Sequence, residues 1–415
     1  MDFSPFDHAV TTHQPNARAA PGEAFPERLQ SILGDADCAL AKKVIEGWDG
    51  YHITPLHSLG DLAKEIGVGN LYYKDEASRF GLGSFKALGG AYAVLRLLSE
   101  EMPKLVGKTV SDAEISDGKY AEAARKITVA TATDGNHGRS VAWGARHFGC
   151  ACKIYMHAGV SSRREQAVAD LGAEVVRVSG NYDASVHQVV ADAAMNDWFI
   201  VSDTSYAGYE DLPRQVMAGY SVMTSEIIEQ VQHRTPTTHV FVQGGVGGLA
   251  GAVCGQLWRE FGKERPRFVV VEPERADCLF QSALQGRPTT VDISEETIMA
   301  GLSCGEVSLL AWEILDAGCD DFMTITDDLV APVMRRLARN GGDPAIVAGE
   351  SAVAGLAGLI AACRSAELAD ALSLDDYSSV LVIGTEGATD PEIYASIVGR
   401  AAEEVAACAR QLKHT

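Results

Sequence analysis

His239-Val240-Phe241-Val242-Gln243-Gly244-Gly245-Val246-Gly247-Gly248-Leu249-Ala250-Gly251 is the stretch that decides the fold class. Its first five residues form an apolar run of strand length, and glycines follow at once and open a helical pattern over 246–261. Backbone N–H groups that converge at the positive end of a helix dipole cradle an anion, above all a phosphate. Gly244, Gly245, Gly247 and Gly248 are the candidate cradle, with Val246 between them and Leu249 closing the turn. Two other readings stay open. Gly245-x-Gly247-x-x-Ala250 matches a dinucleotide fingerprint, and Glu272 ends the next strand where a ribose-binding acid would sit. A glycine-lined helix packed closely on a sheet needs no ligand at all.

Outward from this turn the chain alternates strand and helix patterns. Strands are expected at 71–74, 128–132, 153–156, 174–178, 198–202, 267–272 and 380–383, and helices at 138–148, 163–171, 182–196 and 215–232. The fold class is α/β, with mostly parallel sheets flanked by helices. A chain of 415 residues, 47% hydrophobic, exceeds one compact core and implies two lobes. A small domain at 86–213, inserted in a large one built from 1–85 and 214–415, is the expected division. The formal net charge of −21 argues against nucleic acid or an anionic membrane as partner. Nine cysteines, an odd number with no C-x-x-C pair, suggest free thiols in a reducing, cytoplasmic compartment and no metal site. Neither a signal-peptide pattern nor a membrane-length apolar run is evident, and the run 352–363 reads as a buried helix.

The segment Arg79-Phe80-Gly81-Leu82-Gly83-Ser84-Phe85-Lys86-Ala87-Leu88-Gly89-Gly90 holds one lysine among small and apolar residues. Such a lysine is poorly solvated, which disfavours its ammonium and suits a Schiff base. A plain lysine at a helix start is the alternative. Thr131-Ala132-Thr133-Asp134-Gly135-Asn136-His137-Gly138 is another strand-to-helix turn, richer in polar groups than helix capping demands. Asn181-Tyr182-Asp183 follows the strand at 174–178. There Asp183 is either a cap or a base at the carboxyl end of a parallel strand. Ile383-Gly384-Thr385-Glu386-Gly387 offers a hydroxyl after the last strand, and small-residue loops at 300–306 and 349–352 admit a flat ligand.

Together these motifs resemble the fold-type II pyridoxal-phosphate enzymes. The runs 79–90, 133–138, 181–183 and 385–391 narrow the resemblance to the 2,3-diaminopropionate ammonia-lyase family, with Asp134 the most specific letter. The resemblance implies a two-lobed homodimer that binds pyridoxal 5'-phosphate. It also implies α,β-elimination of both enantiomers of diaminopropionate to pyruvate and ammonia. By position, Lys86 anchors the cofactor with Phe85 beside it. Gly244 to Leu249 hold the phosphate, Asn136 the ring 3-oxygen and Thr385 the ring nitrogen. Asp134 serves as base for the D isomer and Asp183 for the L isomer. A serine or threonine dehydratase, or a related β-elimination or β-replacement enzyme, shares the cofactor motifs. A nicotinamide dehydrogenase or a non-catalytic binding protein would leave Lys86 and the aspartates unexplained.

Overall fold

The computed structural model describes residues 2–133, 135–339 and 341–411, without the side chains of Asp183 and of residues 409–411. Eleven strands run in chain order: β1 Thr12–Pro15, β2 Leu56–Ser58, β3 Asn70–Asp75, β4 Thr128–Ala132, β5 Ala151–His157, β6 Glu174–Val178, β7 Phe199–Ile200, β8 His239–Gln243, β9 Arg267–Pro273, β10 Asp321–Ile325 and β11 Ser379–Gly384. The residues fall into two compact units. One comprises Met1–Leu29, Ile53–Ser84 and Met223–Thr415, the other Gln30–His52 and Phe85–Val222.

The first unit holds a seven-stranded sheet in the order β1-β10-β9-β8-β11-β3-β2. The five inner strands are parallel, and the two edge strands run antiparallel to their neighbours. Strands β8, β10 and β11 are buried at every residue, as strands covered on both faces must be. The apolar run at 352–363 is indeed a buried helix, Ala354–Arg364, laid on this sheet. Its glycines allow the close approach. A Cβ on Gly355 would lie 2.7 Å from the Phe241 carbonyl oxygen, and one on Gly358 2.7 Å from Val271.

The second unit holds a parallel four-stranded sheet in the order β6-β5-β4-β7. Beside it the helix Lys86–Val106 packs on the helix Asn136–Phe148 through small residues. The Ser140 hydroxyl stitches the two together: it accepts from the Ala91 amide at 3.1 Å and donates to the Lys86 carbonyl at 2.7 Å. The position of Lys86 therefore depends on the helix that begins at Asn136.

The strands with apolar runs stand where the sequence places them, extended by a residue or two in several cases. Strands β1, β2 and β10 have no such run. β1 is a polar edge strand ending in proline, the place a sheet tolerates it. β10 opens on Asp321, whose buried carboxylate is bonded by Arg267 at 2.7 and 3.0 Å and by His13 at 2.8 Å. The strand expected over 198–202 shrinks to the two residues of β7.

Candidate active site

Lys86 is the first residue of a 21-residue helix. It is not the bare, desolvated ammonium that its neighbours suggest. Its Nζ donates to Oδ2 of Asp203, and both side chains are mostly buried. Burial works against the charge of Asp203. The Lys86 ammonium beside it outweighs burial and holds the carboxyl well below its usual range. Phe85 is buried, its ring 4.7 Å from that of Tyr220, and the Lys86 ammonium lies 5.5 Å from its centroid.

His137 backs the same carboxylate. Its Nε2 lies 2.8 Å from the Val201 carbonyl oxygen, which only accepts, so the ring hydrogen sits on Nε2. Nδ1 then carries a lone pair. It is buried, has no hydrogen-bond partner among the described residues, and lies 3.8 Å from Asp203 Oδ2. Burial, only partly offset by Asp203, lowers the His137 pKa and keeps the ring neutral at pH 7.

The turn before His137 is capped by Thr133. The Thr133 hydroxyl accepts from the amides of Gly135 at 3.1 Å and Gly138 at 3.2 Å. Asn136 opens the helix. Asp134 lies outside the described residues. Asp183 occupies the first turn of the helix Tyr182–Asn196, where Asn181 is the cap and accepts from the Ala184 amide at 3.2 Å. The side chain of Asp183 lies outside the description.

The glycine cradle is in the first unit. β8 ends at Gln243, and a 14-residue helix starts at Gly248. Gly245 (φ +143°) and Gly247 (φ +95°) take backbone conformations that side-chain-bearing residues rarely adopt. A Cβ on Gly244 would meet Cγ of Glu272 at 2.4 Å. The first amides of any helix lack acceptors within it, so the turn presents N–H groups rather than side chains. Gly244, Gly245, Gly247 and Gly248 are all buried.

Glu272 is not a ribose-binding acid. It is fully buried and accepts from the amides of Leu279 (3.1 Å) and Phe280 (2.7 Å), capping the helix Cys278–Gln285. Burial pushes its pKa up to about 8, against the pull of those two amides. The dinucleotide reading loses its acid.

Thr385 stands just past β11, the parallel neighbour of β8. It is buried, and its Oγ1 accepts from Nε2 of Gln243 at 2.9 Å. Gln243 also donates to the Ile383 carbonyl at 2.9 Å. With an acceptor position of the hydroxyl filled, Thr385 keeps its own hydrogen to donate. Gln243 ends the strand of the glycine motif, and its role is invisible until β8 and β11 are neighbours. The loop 300–302 follows the same end of the sheet, where the Gly301 amide donates to Ser351 Oγ at 3.0 Å. These loops gather at the carboxyl ends of parallel strands, where α/β folds bind ligands.

The first unit also buries a charge cluster. Arg79 donates to both oxygens of Glu76 at 2.8 Å and to both oxygens of Glu226 at 2.7 and 2.8 Å. Lys74 donates to Glu226 at 2.7 Å, and Thr54 to Glu76 at 2.5 Å. Arg79 opens the turn that leads towards Lys86, and Phe80 in that turn takes φ +50°.

The family model of pyridoxal-phosphate dependent enzymes matches residues 48–386. A diaminopropionate ammonia-lyase of Escherichia coli is 38% identical over 393 residues, 93% of this chain and 97% of that one. A holo crystal structure of the Escherichia coli enzyme superposes with a TM-score of 0.84 at 37% identity, covering 94% of this chain and 97% of that one. Another, in complex with an aminoacrylate-PLP azomethine reaction intermediate, gives 0.83 at the same identity and coverage. The chain belongs to the pyridoxal-phosphate dependent enzyme family, within its diaminopropionate ammonia-lyase group.

Proposed function

We propose that this chain is a pyridoxal-phosphate dependent lyase that cleaves D- and L-2,3-diaminopropionate, with one water, to pyruvate and two ammonia molecules. The observation that carries the chemistry is the Asp203 carboxylate set against Lys86, with His137 behind it.

The residues fit the cofactor. The buried glycine turn, which opens a helix whose first amides lack acceptors within it, suits a phosphate, and Lys86 is assigned as the covalent anchor. Thr385, its hydrogen free to donate, suits a ring nitrogen that carries no proton. Asn136, at the first turn of its helix, is assigned to the ring 3-oxygen. Phe85 walls the lysine. When bound, the cofactor supplies an electron sink for the carbanion at Cα.

The chain's own groups then handle the protons. Asp203 Oδ2 is ionised while the Lys86 ammonium lies beside it. Once Lys86 is committed to the cofactor, its ammonium proton lost to solvent, burial regains weight and the Asp203 carboxylate becomes the stronger base. It then takes the Cα proton from one face. The bond to the β-amino group breaks as the electron pair moves into the Cα–Cβ bond, and ammonia departs. The substrate's second ammonium is drawn to the same carboxylate, which favours a diamine over serine or threonine. Asp134 is assigned to the opposite face and the D isomer. The L-isomer role that the sequence suggested for Asp183 is proposed instead for Asp203, because among the described residues Asp203 is a carboxylate that contacts Lys86.

A coupled pyruvate assay across D- and L-diaminopropionate, serine and threonine tests this reading. Asp203→Asn should abolish turnover of the L isomer, and Asp183→Asn should retain it. The reverse result restores Asp183. A preference for serine or threonine would favour the dehydratase reading. A homodimer in the cytoplasm completes the proposal. The dimer rests on the family resemblance, and the nine free cysteines support a reducing compartment. Among the described residues no single helix is long and apolar enough to cross a membrane.

A further inference from the structure

Asp203 sits three residues beyond the last strand pair of β7, on a segment that sheet bonding does not hold. β7 pairs with β4 only at Phe199 and Ile200, and the Val201 amide adds one bond to the Ala130 carbonyl at 2.9 Å. From there a side chain takes over. The Tyr209 hydroxyl donates to the Ile200 carbonyl at 2.8 Å and accepts from the Ser202 amide at 2.9 Å. It thus bonds to both sides of Val201, whose own carbonyl is held by His137. Ser202 Oγ in turn accepts from the Thr204 amide at 3.2 Å.

Tyr209 is itself held in place. Its amide donates to the Tyr206 carbonyl at 2.8 Å, the Tyr206 amide donates back at 3.2 Å, and the two rings stack 5.0 Å apart at 21°. The turn 203–209 is therefore a closed loop. One end carries Asp203, and the other returns a hydroxyl to the backbone from which Asp203 springs. Burial raises the Tyr209 pKa, so the phenol keeps its hydrogen through the working pH range.

We propose that Tyr209 is a positioning residue for the catalytic base. Its hydroxyl sets the height of the Ile200–Thr204 segment, and so the reach of the Asp203 carboxylate towards the Cα proton. It does not touch the reacting atoms. The proposal rests on the reading of Asp203 as the base for the L isomer. It adds a specific consequence: losing the bracket harms one enantiomer, because the Gly135 and Gly138 amides of the turn assigned to the D isomer are held by Thr133 and not by Tyr209.

The test is Tyr209→Phe in the holoenzyme, which keeps the ring stack and deletes only the hydroxyl. Misplacing a base by an ångström costs about a hundredfold in rate. The expected result is a ten- to hundredfold fall in kcat for the L isomer, about, with kcat for the D isomer and KM for both nearly unchanged. An unchanged L-to-D ratio overturns the proposal, as does an equal fall for both isomers, which marks a merely structural role. Asp203→Asn is measured alongside. If it spares the L isomer, the base assignment has failed and not the bracket alone. Should Tyr209→Phe fail to fold, a fluorinated tyrosine at 209 decides. Its phenol ionises at lower pH, so the L rate should fall off earlier on the alkaline side while the D rate does not. Coincident alkaline limbs for the two isomers would refute the bracket.

Discussion

Replacing Arg79 by methionine tests the buried charge cluster, which begins the approach to Lys86. The wild-type cluster is neutral in sum: Lys74 and Arg79 face Glu76 and Glu226, and none of the four side chains is more than 2% exposed. Arg79→Met removes four charge-assisted bonds and leaves Glu76 with Thr54 as its hydrogen-bond partner. Lys74 still faces Glu226. One buried carboxylate is left without a counter-ion, at a cost of about 3–5 kcal/mol. With a urea slope of about 3 kcal/mol per molar, the unfolding midpoint should fall by roughly 1–1.7 M. Pulsed hydrogen exchange on peptides from β8 and β9 confines the readout to the first unit. Adding Glu76→Gln should recover much of the loss. A gap below about 1 kcal/mol would refute the argument, because it would mean that water or a rearranged partner had reached Glu76.

Other perturbations read the site more directly. Lys86→Ala should abolish the visible absorption of lysine-bound cofactor while leaving far-ultraviolet circular dichroism intact; an unchanged spectrum would remove Lys86 as the anchor. Gly244→Ala places a methyl against Glu272, which two amides hold fast, and should weaken cofactor binding by about tenfold or more, the equivalent of 1–3 kcal/mol of overpacking, in a fluorescence titration. Gln243→Leu frees the Thr385 hydroxyl to rotate, and should lower kcat on both enantiomers alike. Glu272, with its pKa raised by burial to about 8, is protonated in the folded protein and ionised in the unfolded one across mildly acidic pH. It therefore makes stability fall by about 1.4 kcal/mol per unit as pH rises from near 5 towards 8. Glu272→Gln should flatten that slope in urea titrations.

Periodicity and turn chemistry made the frame legible. Strands β8, β9 and β11 are apolar runs and could be read directly, and the glycine turn after β8 with them. The edge strands could not, because β1 and β2 are held by neighbours far away in sequence rather than by their own composition. The burial of Asp321 depends on His13 and Arg267, partners remote in the sequence. Asp203 is the instructive omission. It lies in Ser202-Asp203-Thr204-Ser205, which reads as an ordinary polar turn. One signal did mark it: it follows the carboxyl end of a parallel strand, the same ground on which Asp183 was chosen. Telling the two apart requires the contact with Lys86, which arises only when the helix Lys86–Val106 packs on the helix Asn136–Phe148.

The edge pairing of β1 bears on how the chain assembles in time. His13 meets Asp321 across 308 residues, so the amino-terminal strand has no partner until most of the chain has been synthesised. Residues 85–222, by contrast, are contiguous and carry a complete four-stranded sheet. During synthesis that unit can close first, while residues 12–15 wait exposed at the ribosome. The polar character of β1, which hides it from a reading of the sequence, also keeps the waiting segment from sticking to other chains.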